Sequence, residues 1–168
     1  TVVVDPGASL EFRNGLRNWS GSWGSYPTFT ARLGGTIDFG PRLELYRGDV
    51  WFRGPGTFRV GECYHQWQWS RLADNAKLVL TGSRFVFNPW SFKGDNYIRL
   101  DGDPRCATIK PAAQDVSVVV NSEPYILLNN GTLTFDSEGA DDAQPHTLTI
   151  DKPNGLTGAG TVRKIGSG

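Results

Sequence analysis

Apolar and polar residues alternate over three to five positions, a turn residue intervenes, and the pattern starts again, from one end of this chain to the other. The clearest cases are SLEF (9–12), TIDF (36–39), LELY (43–46), DVWF (49–52), TFRV (57–60), KLVL (77–80) and RFVF (84–87). YIRL (97–100), VSVVV (116–120), YILL (125–128), TLTF (132–135), TLTI (147–150) and TVRKI (161–165) follow. Alternation this brief is the mark of half-buried β-strands. The punctuation has its own chemistry: glycine accepts a positive φ, proline presets φ, and Asn and Asp tolerate the left-handed region. No stretch long enough for a helix carries a 3.6-residue period, so no amphipathic helix is expected. The 21 glycines and 10 prolines among 168 residues suit a turn-rich all-β chain.

Strand starts at 36, 43, 49 and 57, then 77 and 84, then 125 and 132, lie close together. Two architectures meet such spacing. In a β-sandwich or jelly roll, tight hairpins join antiparallel neighbours. In a parallel β-helix, successive short strands lie on different faces of a coil, and equivalent strands stack. The brevity of the strands and the scarcity of Asn-Gly or Asp-Gly between matched strands favour the β-helix. Asn130-Gly131, between YILL and TLTF, still reads as one plausible hairpin. Residues 13–35 and 61–76 break the rhythm and read as long Trp-rich loops; 88–96 is a milder case. One all-β domain spanning 1–168 is expected, and the start at TVVVD without Met suggests a fragment of a longer chain or a mature form.

A lone short strand cannot bury its apolar face, but strands stacked about 4.8 Å apart pair their backbones and build a common core. Leu133, Phe135, Leu148, Ile150 and Val162 are the expected inward residues near the C-terminus. The segments NGTLTFDS and HTLTIDKPNGLTGAGTVRKIGSG resemble the strand repeat associated with autotransporter passenger domains, through Gly158, Gly160, Thr161, Val162, Lys164, Gly166 and Gly168. The opening VDPGASLEF is similar to strand starts of the same exported solenoids. The resemblance covers the two ends of the chain. It implies a right-handed parallel β-helix and a secreted or cell-surface location. The middle departs from it: all six Trp lie between residues 19 and 90, and there are two cysteines.

Formal charge is zero, which gives no pull toward nucleic acid. No apolar run reaches the roughly 18 residues of a membrane helix, so membrane insertion is not expected. Cys63 and Cys106 would close a possible disulfide, with two unrelated buried thiols as the other reading. Zinc is not expected, since there is no CxxC and His65 and His146 are far apart in sequence. No cofactor is implied.

The candidate ligand-binding residues are the aromatics in turn-like polar contexts: Trp19, Trp23, Tyr26, Tyr64, Trp67, Trp69 and Trp90. Flat aromatic faces suit sugar rings and protein partners alike; the same residues would also serve to cap a core. If Gln66–Trp69 is extended, Trp67 and Trp69 share a face. Weak catalytic candidates are Glu62, His65 and Asp74, since a glycosidase needs two carboxylates across a cleft. Asp101 and Asp103 form an oxygen-rich turn that could take Ca²⁺. No GxSxG, P-loop or dinucleotide fingerprint is present. The resulting expectation is a non-enzymatic adhesive or structural module that binds glycan or protein. The alternatives are a polysaccharide lyase or glycoside hydrolase on a β-helix, and a β-sandwich structural protein of a viral or secreted assembly.

Overall fold

A computed structural model describes residues 1–19, 27–46, 49–66, 70–87, 98–120, 126–151 and 156–167. Its named elements are all strands, and every ladder between them is parallel. Pairing skips two strands each time. The first sheet, seven-stranded, runs through β1 (Val2–Val4), β4 (Thr28–Ala31), β7 (Val50–Arg53), β10 (Ser70–Ala73), β13 (Ile98–Asp101), β16 (Ile126–Leu127) and β19 (Leu156–Thr157). The second, also seven-stranded, runs through β2 (Ser9–Glu11), β5 (Thr36–Asp38), β8 (Thr57–Val60), β11 (Ala76–Leu80), β14 (Cys106–Pro111), β17 (Thr132–Asp136) and β20 (Thr161–Ile165). The rest form two three-stranded sheets. One holds β3 (Leu16–Trp19), β6 (Arg42–Tyr46) and β9 (Glu62–Gln66), the other β12 (Arg84–Phe87), β15 (Val116–Val120) and β18 (Leu148–Asp151). The two meet where β12 packs beside β9.

Register sets like above like. In the second sheet, Leu10, Ile37, Phe58, Leu78, Ile109 and Phe135 form one column. In the first, Phe29, Phe52, Leu72 and Leu100 form another. Leu16, Leu43 and Cys63 form a third on β3, β6 and β9. Between the sheets, Phe29, Phe39, Phe52 and Phe58 pack edge to face, with ring centroids 4.9, 5.8 and 5.4 Å apart for successive pairs. Each fully buried Phe or Leu contributes roughly 1.5–3 kcal/mol, which the individual three-residue strands could not gather alone. Leu133 and Phe135 are buried and Leu148 and Ile150 pack against the core, as expected; Val162, on β20 at the edge of its sheet, is 44% exposed.

The turn from first to second sheet needs a left-handed residue, and each of the seven such turns has one. Gly7, Gly34, Gly54, the pair Asp74–Asn75, Gly102, the pair Asn129–Asn130 and Gly158 all have positive φ. These are the residue types that reach this region at least cost. One of these turns overturns the expected hairpin. Asn130-Gly131 joins β16 to β17, but those strands lie in different sheets. No hairpin pairing of a β-sandwich occurs between the named strands. The supposed long loops at 13–35 and 61–76 contain β3, β4, β9 and β10; the segment 88–96 lies outside the described residues.

Candidate functional site

Side chains at the outward positions of the first sheet assemble a polar and aromatic surface. Register aligns Trp51, Arg71 and Arg99 in one row and Arg53, Ala73 and Asp101 in the next. Trp51 is held in a guanidinium setting: Arg71 Cζ lies 4.9 Å and Arg53 Cζ 5.3 Å from its ring centroid. Such cation–π contacts contribute about 0.5–2 kcal/mol each, depending on desolvation.

Arg71 is the hub. Its Nε donates to Asp49 Oδ2 at 2.7 Å and its Nη1 to Asp101 Oδ2 at 2.7 Å. Arg99 Nε donates to Asp101 Oδ1 at 3.0 Å, and Asn129 Nδ2 reaches the same oxygen at 3.2 Å. Burial disfavours the Arg71 cation, but the bonds to Asp49 and Asp101 outweigh this and raise its pKa above the ordinary arginine value. Asp49 and Asp101 are buried as residues, so these carboxylates depend on Arg71 for compensation. A second pair extends the surface toward the turn. Arg53 Nε donates to Asp74 Oδ2 at 2.9 Å, and the Asp103 backbone N–H donates to Asp74 Oδ1 at 2.9 Å. Beyond it, an open cup of about 540 Å³ is lined by Asp103, Arg105, Cys106, Asn130 and Thr132, with turn backbone completing its wall.

The structure therefore brings together three residues singled out from sequence, Asp74, Asp101 and Asp103, in a different role. Asp101 faces two guanidiniums and an amide, a donor set suited to holding a carboxylate and unsuited to a cation. Among the described residues no cluster of three His, Cys, Asp or Glu side chains has the geometry to hold a metal. Glu62 is exposed at the head of β9, whereas Asp74 sits at the turn between β10 and β11 and is spoken for by Arg53. His65 lies in β9, Trp19 ends β3 and Tyr64 lies in β9; their side chains fall outside the described residues, as do Trp23, Tyr26, Trp67, Trp69 and Trp90. The possible disulfide is not formed. Cys63 is a buried free thiol in the core column under Leu43, while Cys106 is a free thiol at an outward position of the second sheet, opposite Thr132. Cys63 belongs to the core, and Cys106 stands on the outward side of its strand.

Trp51 and its arginines escaped the sequence reading because Trp51 sits inside an apolar alternation, DVWF, where an aromatic reads as core. The available signal was parity: Val50 and Phe52 are the inward pair, which leaves Trp51 outside. No family model matches the chain, and no curated protein or solved structure is significantly similar to it. No helix among the described residues is long and apolar enough to cross a membrane.

Proposed function

We propose that the chain is a short right-handed parallel β-helix that serves as a non-enzymatic adhesive and structural module of a secreted or cell-surface protein. The every-third-strand parallel pairing supports the β-helix reading, because a chain that passes from the first sheet to the second, then to a three-stranded sheet, and returns each time to the neighbouring place advances as a coil. The observation that carries the adhesive reading is the outer surface of the first sheet. There Trp51, Arg53, Arg71, Arg99, Asp49 and Asp101 are fixed in one another's grip across successive strands. Preorganised aromatic and planar polar groups bind hydroxyl-rich or peptide surfaces with little ordering cost. The carboxylates are already engaged by guanidiniums, which favours recognition over proton transfer. The ligand is a glycan or a protein surface, and the Trp-bearing segments around Trp19, Trp23, Trp67 and Trp69 would widen the contact.

The test is a glycan array and a cell-surface binding assay with the wild-type chain, a Trp51→Ala variant and a Trp67→Ala/Trp69→Ala variant, each checked for intact folding by circular dichroism. Binding by the wild type that weakens at least ten-fold in either variant is the expected result. Binding unaffected by both substitutions would remove the aromatic surface from the function.

A further inference from the structure

Between β17 and β18 the chain leaves the sheets for the segment Ser137–Thr147 and closes it on itself. His146 N donates to Ser137 O at 2.8 Å, and Gly139 N to Gln144 O at 2.8 Å. Glu138 and Pro145 form an antiparallel bridge. Asp142 accepts from the Gln144 backbone at 3.0 Å and lies 3.0 Å from His146 Nε2. Most of this closed loop is exposed, with Ser137 and Gly139 buried at its base. It lies back along the stack. Ala140 N donates to Pro111 O and Asp141 N to Ala112 O, each at 2.9 Å, which ties it to the end of β14. The Asp141 carboxylate then reaches Arg59 of β8 in a two-pronged pair, both bonds 2.7 Å, across a sequence separation of 82 residues. Arg59 in turn touches Asp38 of β5 at 3.3 Å.

β11 lies between β8 and β14, and Val79 is the β11 residue in register with Arg59 and Lys110. Leu78 and Leu80 take its inward positions, so alternation leaves Val79 outside. Yet Val79 is 1% exposed. The loop is bonded to strands on both sides of Val79, to the end of β14 through Pro111 and Ala112 and to β8 through Arg59.

We infer that Ser137–Thr147 is a clasp, thrown backward to lock β8, β11, β14 and β17 into one unit, and that the Arg59–Asp141 pair is its catch. A stack of repeats is otherwise held by nearest-neighbour contacts and opens from its ends. A tie that skips a strand opposes that. Its opening is a local event below the free energy of global unfolding. It would uncover Val79 while leaving the ladders paired.

The experiment is native-state amide exchange by NMR on the whole chain with Asp141→Ala, Arg59→Ala and the double variant. Loss of a partly exposed two-pronged pair should speed exchange of the Ala140 and Asp141 amides by roughly five-fold. The amides of β1, β2 and β4 should keep their wild-type rates. The double variant should exchange no faster at the clasp than either single one, because both remove the same catch. Unchanged rates at Ala140 and Asp141, equal acceleration through the whole chain, or additive effects in the double variant would each overturn the inference. Asp141→Ala removes an exposed side chain and Arg59→Ala a half-buried one, so the first keeps the test available should the second fold poorly.

Discussion

At the scale of single residues, position in the register decides chemistry more than residue type does. The two cysteines show this. Cys63 occupies the column of Leu16 and Leu43, 3% exposed, and burial pushes its thiol up to about 12. The thiolate is the reacting species, so a thiol that is both covered and held protonated is inert. Cys106 faces outward and lines the cup beside Arg105 and Thr132. Treating the native protein with an aromatic disulfide reagent at pH 8 should therefore release close to one equivalent of chromophore, and unfolding in guanidinium should release the second. Mass spectrometry of the native adduct should place the label on Cys106. Two fast equivalents would mean that Cys63 is not packed in the core. The contrast between Asp101 and a calcium ligand has the same origin: an oxygen-rich turn in sequence becomes, in register, the partner of Arg71 and Arg99.

At the scale of elements, corners are as specific as strands. Gly40, Gly61 and Gly82 stack at the exits of successive strands of the second sheet. A Cβ on Gly61 would lie 2.4 Å from the Pro41 carbonyl oxygen and 2.9 Å from that of Gly40. Backbone cannot step aside as a side chain can, so Gly61→Ala should cost ~3 kcal/mol, at the upper end of overpacking. Gly7 offers a matched contrast. Its φ is +72° but nothing lies within 4 Å of an added Cβ, so Gly7→Ala should cost only the left-handed penalty of ~1 kcal/mol. Urea denaturation of both variants checks the difference; equal losses would mean that the corner is not closely stacked. The strands themselves were largely legible wherever two or more large apolar residues alternate, as in TFRV or TLTF. Those missed have thinner patterns. β10, SRLA, offers one large inward residue, Leu72, beside Ser70 and Ala73, both buried. β14, CATIKP, ends on Lys and Pro. A strand between two neighbours needs little apolar surface of its own, because the strands above and below complete its burial. That is why the sequence signal fades where the stack is deepest. The Trp51–Arg71–Asp101 surface was illegible for another reason: its members are distant in sequence, and the stretches of chain between their strands differ in length.

At the scale of the molecule, the stack is braced along its length by ion pairs that cross from one layer to another. Arg17 with Glu44, Arg32 with Asp5, Arg59 with Asp38 and Asp141, Arg71 with Asp49 and Asp101, and Lys110 with Asp136 all do so. Each exposed pair contributes little alone. For Asp141 the sign is defined. The hydrogen bond from Arg59 holds its carboxyl below the ordinary value of 3.8; burial opposes this, and the Arg59 charge adds to the lowering. A carboxyl more acidic in the folded state stabilises fully above its unfolded pKa, and that contribution disappears as pH falls through the folded pKa. Thermal unfolding should therefore be flat between pH 7 and 5 as far as this group is concerned and decline below pH 4. With solvent screening of a carboxylate 43% exposed, its share is at most about 1 kcal/mol, or ~3 °C in melting temperature for a chain of this size. The Asp141→Ala variant should start that much lower at pH 7 and lose that much less on acidification, the two curves converging as pH falls through the lowered carboxyl pKa. Parallel curves would mean that Asp141 contributes no pH-dependent stability. Such an outcome would leave the bracing of the stack to its buried members, Asp49 and Asp101 on Arg71.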